Sequence, residues 1–130
     1  MKANITLTGV VGHGKALGRT VGMPTANLCP DAQSNLPEAG VYATYTEVDG
    51  KKWLSVTNIG VRPTVDARPD WTVESHIIGY SGDLYGKRIT ITLLERIRLQ
   101  MRFETLEMVK KQVESDCIRA QEIREKYENG

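Results

Sequence analysis

Charge of one sign is what this sequence has least of. Lys and Arg number 17 and Asp and Glu 16, a formal net charge of +1. A protein whose main task is holding nucleic acid carries a strongly basic face, so nucleic acid is not expected as a partner. Aromatic residues are few as well: two Trp, five Tyr and one Phe, scattered along the chain. They form no clustered platform of the kind a single-strand-binding barrel needs. No apolar run reaches the roughly 20 residues that span a bilayer. Met1 to Asn4 leads straight into alternating residues, without the apolar core of a signal peptide. The expectation is a cytoplasmic protein with no membrane partner. Cys29 and Cys117 are the only cysteines, far apart and outside any C-x-x-C, which favours two free thiols over a disulfide or metal site.

What is present is mostly strand pattern, in a chain of 130 residues with room for one domain and one hydrophobic core. Ile5, Leu7 and Gly9 alternate with Thr6, Thr8 and Val10, which predicts a strand over Asn4 to Val11. Val41 to Val48 is a second. It turns at Asp49-Gly50, a pair that accepts positive φ, and Trp53 to Asn58 returns beside it. Thr72 to Tyr80 and Arg88 to Leu99 read as two more, with turns at Gly82-Asp83 and Gly86-Lys87. Near Phe103 the period changes. Leu106, Val109, Val113, Cys117, Ala120 and Ile123 fall on one helical face, with Thr105 as N-cap and an end near Tyr127. Five or six short strands followed by one helix predict a mainly β domain over residues 1–130, a closed antiparallel barrel with the helix packed on it. Two stretches look irregular, Gly12 to Gly22 and Gly60 to Asp70. The second is too polar and proline-rich to read as strand and is expected to be a mobile flap.

The first irregular stretch invites a phosphate-loop reading. Gly9 to Ala16 is one residue short of a Walker A motif, which needs Ser or Thr where Ala16 stands. A Walker loop also opens a helix, and Gly18, Gly22 and Pro24 follow here, so that motif is rejected. There is no H-x-G-H and no H-E-x-x-H, which removes those adenylyl-transfer and zincin chemistries. Pro24 forces its predecessor into extended backbone, and Thr25 and Asn27 then lie two apart on one side of an extended segment. A hydroxyl and an amide oxygen are neutral ligands that suit Mg²⁺ when phosphates bring the negative charge, with Lys15 and Arg19 to neutralise the rest. On the residues alone, a Gly/Pro-rich turn with local backbone hydrogen bonds is the commoner reading.

On "WTVESHIIGY", Thr72, Glu74, His76, Ile78 and Tyr80 share one face and Val73, Ser75 and Ile77 the other. Neither is cleanly apolar, so an acid or a hydroxyl stands where core is expected. A carboxylate beside a pocket is a reasonable general base. A solvated Glu74 and a hydrogen-bonded structural His76 are the commoner cases.

The runs "GVVGHGKALGRTVGMPTANL", "LPEAGVYAT", "SVTNIGVRPTV", "VESHII" and "DLYGKRITITLLERIRLQMRF" follow one another in this order. Together they resemble the riboflavin kinase (flavokinase) family, in particular the kinase module of bacterial bifunctional riboflavin kinase/FAD synthetases, from about Leu7 to Ala120. The resemblance implies a six-stranded antiparallel Greek-key barrel with a C-terminal helix. It implies transfer of the γ-phosphoryl group of ATP to the riboflavin 5′-hydroxyl, giving FMN and ADP. The loop Gly12 to Gly22 would arch over the nucleotide, with Gly12, Gly14, Lys15, Gly18, Arg19, Gly22, Pro24, Thr25 and Asn27 on the nucleotide side. Thr25 and Asn27 would hold Mg²⁺, with Zn²⁺ and Mn²⁺ as alternatives, and Glu74 would be the base. Arg98 and Phe103 would lie near the flavin. Met23 and Val65 depart from the family pattern, where an aromatic is more usual. No adenylyltransferase half is present in this sequence, so FAD synthesis is not expected from it. A fused or associated FAD synthetase domain in the native gene remains compatible with the resemblance.

Overall fold

The computed structural model of the chain describes residues 5–12, 25–31, 37–63 and 69–129. Six strands are followed by one helix: β1 Thr6–Gly12, β2 Ala26–Pro30, β3 Gly40–Val48, β4 Lys51–Pro63, β5 Pro69–Ile77, β6 Arg88–Arg98 and α1 Leu106–Asn129. The strands close into a barrel in the order β1-β2-β5-β4-β3-β6, every pair antiparallel. Closure leaves no unpaired strand edge. The β3-β4-β5 meander sits between β2 and β6, so consecutive strands β2 and β3, and β5 and β6, are not neighbours, which is a Greek-key order. Among the described residues no helix is long and apolar enough to cross a membrane.

The β3–β4 hairpin turns on Asp49 and Gly50, with φ of 51° and 81°. Two successive left-handed residues match the twist of the flanking strands. The Asp49 carboxylate also accepts a 2.6 Å hydrogen bond from Lys87 Nζ, which ties this hairpin to the turn before β6.

The expected flap is in large part strand. β4 runs on through Pro63, and β5 begins at Pro69, with Val61 opposite Trp71 and Pro63 opposite Pro69. A proline at the last rung of a ladder forfeits little, because its missing N–H is needed only inside the sheet. Residues 64–68 lie outside the described residues. β5 stops at Ile77 rather than Tyr80, and Gly79 turns the chain with φ 80°. The stretch read only as extended around Asn27 is a full strand, β2.

Inside the barrel, Leu7, Val11, Leu28, Ile59, Val73, Ile89 and Ile91 form an apolar cluster. Beside it runs a line of fully buried hydroxyls. Thr44 Oγ1 lies 2.8 Å from Thr57 Oγ1 and 2.6 Å from Ser55 Oγ. Thr46 Oγ1 lies 2.8 Å from Ser55 Oγ and 2.9 Å from Ser75 Oγ. Each of these hydroxyls has a partner, so burial carries no unpaired-group penalty. The chain joins β3, β4 and β5 and works against any slip in their register, since a one-residue slip would turn all five side chains outward.

α1 packs on the outer faces of β3, β4 and β6. Thr105 caps it: its Oγ1 accepts a 3.1 Å hydrogen bond from the Met108 N–H, as the sequence predicts. Ala120 and Ile123 are buried against Val41, Ala43, Leu54 and Val56. The expected apolar face is only partly realised. Leu106 is exposed, and an acid, Asp116, is among the most buried residues of the helix at 2% exposure. Arg98 meets it in a bidentate pair, with Nε 3.0 Å from Oδ1 and Nη2 2.9 Å from Oδ2. Gln112 Nε2 donates to the same carboxylate at 3.1 Å. Cys29 and Cys117 are free thiols, as expected. Burial, then Asp116 and Glu114, push the Cys117 thiol up to about 11.

Candidate active site

Alternation along the strands decides which side chains leave the barrel. Ala26 and Leu28 on β2, Val73 and Ser75 on β5, and Thr57 and Ile59 on β4 are buried inside. Asn27, Glu74 and Asn58 lie between them and therefore point outward. Ladder register lines them up. Gly12 of β1 is opposite Asn27, Asn27 is opposite Glu74, and Glu74 is opposite Asn58. Neighbouring strands lie about 4.8 Å apart, so a row crosses four strands: a glycine, an amide, a carboxylate and a second amide. Asn27 and Glu74 are half-buried and Asn58 is exposed. A Cβ on Gly12 would fall 2.9 Å from Cys29 Sγ, so a side chain here would have to move that thiol aside.

Thr25 sits just before β2, one residue from Ala26, at a cavity of about 430 Å³ that Gly12 also lines. Ser75, Ile77, Tyr80, Leu84 and Tyr85 supply most of the remaining wall, with Asp83 as its carboxylate. Backbone bonds fix the far wall. Val11 is joined to the 84–87 turn by Val11 N–H to Lys87 O at 2.8 Å and Gly86 N–H to Val11 O at 2.9 Å. The Tyr85 N–H donates to Asp83 Oδ1 at 2.9 Å. Tyr80 is held edge-on to Trp53 at 5.2 Å between centroids.

The structure thus brings Gly12, Thr25, Asn27 and Glu74 into one neighbourhood. Gly14, Lys15, Gly18, Arg19, Gly22 and Pro24 lie outside the described residues. Arg98 and Phe103 are together some way off, at the end of β6, with the guanidinium carbon 5.8 Å from the ring centroid. Arg98 is committed to Asp116 and also donates from Nη1 to Leu99 O at 3.1 Å. It therefore forms the floor under this segment rather than a free cation. Leu99, Met101, Leu106 and Met108 around Phe103 are exposed apolar side chains. Gln100 connects the two areas: its Nε2 donates to Asn58 Oδ1 at 2.8 Å.

Sequence reading had missed Asn58, Gln100 and the cavity residues Tyr80, Leu84 and Tyr85. Asn58 stands in the "SVTNIG" run that carried the resemblance. The tyrosines flank Gly82-Asp83 and Gly86-Lys87, which read only as turns. The oxygen donors available are the Asn27, Glu74 and Asn58 side chains of the row and the Thr25 hydroxyl beside it. Such a set fits a hard divalent cation and not a soft thiolate-loving one. Among the described residues no three His, Cys, Asp or Glu side chains converge.

The closed barrel carries a glycine, a Thr-Ala-Asn segment and an outward glutamate on neighbouring strands. The family model for flavokinase, described as riboflavin kinase, matches residues 1–124, and the chain belongs to this family. It is 37% identical over 117 residues to the bifunctional riboflavin kinase/FMN adenylyltransferase of Pseudomonas fluorescens, covering 90% of this chain and 37% of that relative. The chain thus spans little more than a third of that relative's length. A solved Streptococcus pneumoniae structure, described as a macrolide-efflux protein, superposes with a TM-score of 0.83 at 32% identity, covering 88% of this chain and 37% of that one. The riboflavin kinase of Trypanosoma brucei superposes with a TM-score of 0.64 at 24% identity, covering 94% of this chain and 80% of that one, a likeness of fold.

Proposed function

We propose that this domain moves the γ-phosphoryl group of ATP to the 5′-hydroxyl of riboflavin, giving FMN and ADP. The observation that carries the reading is the register that sets Gly12, Asn27, Glu74 and Asn58 in one outward row. Glu74 orients the ribityl 5′-hydroxyl and takes its proton as the new oxygen–phosphorus bond forms and the bond to the ADP oxygen breaks. A positioned carboxylate of this kind contributes on the order of 10²–10⁴ in rate. The nucleotide enters on the Gly12 and Thr25 side, where the cavity takes its base or sugar. The loop residues Gly14, Lys15, Gly18, Arg19, Gly22 and Pro24 belong to its phosphates. Thr25 and Asn27 would hold Mg²⁺, which would supply charge neutralisation on the transferring phosphate. The flavin ring lies on the apolar shelf around Phe103, above Arg98.

Phosphoryl transfer needs positioning and charge stabilisation more than covalent chemistry. A rigid barrel with its polar row fixed by register offers the positioning. FAD synthesis is not part of this proposal. The Pseudomonas relative carries both activities in its name and is much longer, which supports a fused or associated partner domain in the native gene. Cytoplasm, where ATP is plentiful, is the compartment in which such an enzyme would act.

The test is fluorescence-detected conversion of riboflavin to FMN with ATP and Mg²⁺. The wild-type protein is expected to convert it, and Asn27→Ala to need a higher Mg²⁺ concentration for half-maximal rate while keeping its melting temperature. No FMN from the folded wild type would overturn the reading. An unchanged Mg²⁺ requirement would remove Asn27 from the metal site.

A further inference from the structure

Between the shelf around Phe103 and the row that contains Glu74 lies the Gln100 side chain, which the reaction as proposed does not use. Gln100 follows β6 on the strip leading from Arg98 to Phe103, and its amide reaches back over the outer sheet face. Its Nε2 donates to Asn58 Oδ1 at 2.8 Å, and Asn58 is the ladder partner of Glu74. Two residues along the same face stands Gly60, opposite Thr72. A Cβ built on Gly60 would fall 2.7 Å from Gln100 Nε2 and 2.9 Å from Thr72 Oγ1. The sheet therefore has a gap where the Gln100 amide is seated, on the same outer face and two residues along β4 from the ladder partner of Glu74.

We propose that the Gln100 amide, steadied by Asn58 and seated over Gly60, reads the hydroxyls of the acceptor's polyol chain. The inference rests on the reaction proposed above and names its specificity element. A substrate whose ring lies at Phe103 and whose terminal hydroxyl lies at Glu74 must pass its polyol over the patch between them. A carboxamide offers two N–H donors and one acceptor oxygen, and the bond to Asn58 uses one of these donors. An amide of this kind suits hydroxyls, which both give and accept hydrogen bonds. A site built to hydrogen-bond hydroxyls discriminates against analogues that lack them, because its own polar groups are then left without partners.

The experiment measures equilibrium binding of riboflavin and of lumiflavin, which has the ring without the polyol, by flavin fluorescence without ATP. Wild type is expected to prefer riboflavin. Gln100→Leu should weaken riboflavin binding about tenfold, the loss of one or two net hydrogen bonds, and leave lumiflavin within about twofold. Gly60→Ala keeps Gln100 but pushes its amide out of the gap, and should shift riboflavin in the same direction by a smaller factor. Circular dichroism and melting curves check that both variants fold. Equal weakening of both ligands would make Gln100 part of the ring shelf and overturn the proposal. So would unchanged riboflavin binding in Gln100→Leu, or a wild type with no preference for riboflavin. Wild-type FMN formation is scored separately: its absence sinks the proposed reaction, whereas its presence with an unaltered Gln100→Leu sinks only this inference.

Discussion

The outer face of the barrel has two parts. α1 covers β3, β6 and the first half of β4, and there the outward residues are Val41, Ala43, Leu54 and Val56, sealed by Ala120 and Ile123. α1 does not cover the row on β2, β5 and the middle of β4, and there they are Asn27, Glu74 and Asn58. Each part contains a carboxylate beside other polar groups. Under the helix, Asp116 is buried, takes both arms of Arg98 and accepts from Gln112. In the open row, Glu74 is half-buried between two amide-bearing strands. A buried carboxylate held by a fixed guanidinium serves as a joint, while one on a half-buried, outward strand position stays within reach of a ligand. The two acids are told apart by what surrounds them, not by residue type.

The comparison breaks first at Asp116. If it is a joint, Asp116→Ala leaves the Arg98 guanidinium without its partner in a largely buried place and should cost about 3–5 kcal/mol of stability. Urea unfolding checks this. A loss below about 1 kcal/mol would mean that the covered part does not depend on the pair. A smaller effect sharpens the same boundary through pH. Burial, followed by Asp116 and Glu114, raises the Cys117 thiol from an ordinary value near 9 to about 11. The native state keeps this proton where the unfolded chain has lost it. The contribution is therefore fully present below about pH 9 and declines as pH rises toward 11. Tyr45, raised to about 12 by burial and then by its bond to Glu128, acts with the same sign at higher pH. The difference between wild type and Cys117→Ala isolates the thiol. Melting temperature should fall less steeply from pH 9 to 11 in the variant, and equal slopes would place Cys117 in a wetter setting than the structure gives it.

Much of the fold was legible because it is local. Alternation in β1, β3 and β6, the Asp49-Gly50 turn and the Thr105 cap each depend on residues close in sequence. The arms of β4 and β5 beyond Gly60 were not legible. Their Arg, Asp and Pro content reads as loop, and only the partner strand makes them a ladder. Asp116 was hidden for a similar reason, since its counter-ion lies 18 residues away on another element. At the site, the resemblance picked out Gly12, Thr25, Asn27 and Glu74, while their alignment depends on register between strands distant in sequence. Asn58 and Gln100 needed that register before either had a neighbour to suggest a role. On β5 the hydroxyl, not the acid, proved to be the inward residue, where Ser75 bonds to Thr46 inside the barrel.

The central claim is that the uncovered part of the barrel's outer face does the chemistry, and Glu74 tests it most directly. Glu74→Gln keeps the shape and one acceptor oxygen but cannot take the proton of the 5′-hydroxyl. Single-turnover FMN formation, with riboflavin and ATP binding measured separately, should fall by about 10²–10⁴ in this variant while both affinities and the melting temperature stay near wild type. A Glu74→Gln protein that turns over within about threefold of wild type would contradict the account and return Glu74 to an exposed strand face with no part in the reaction.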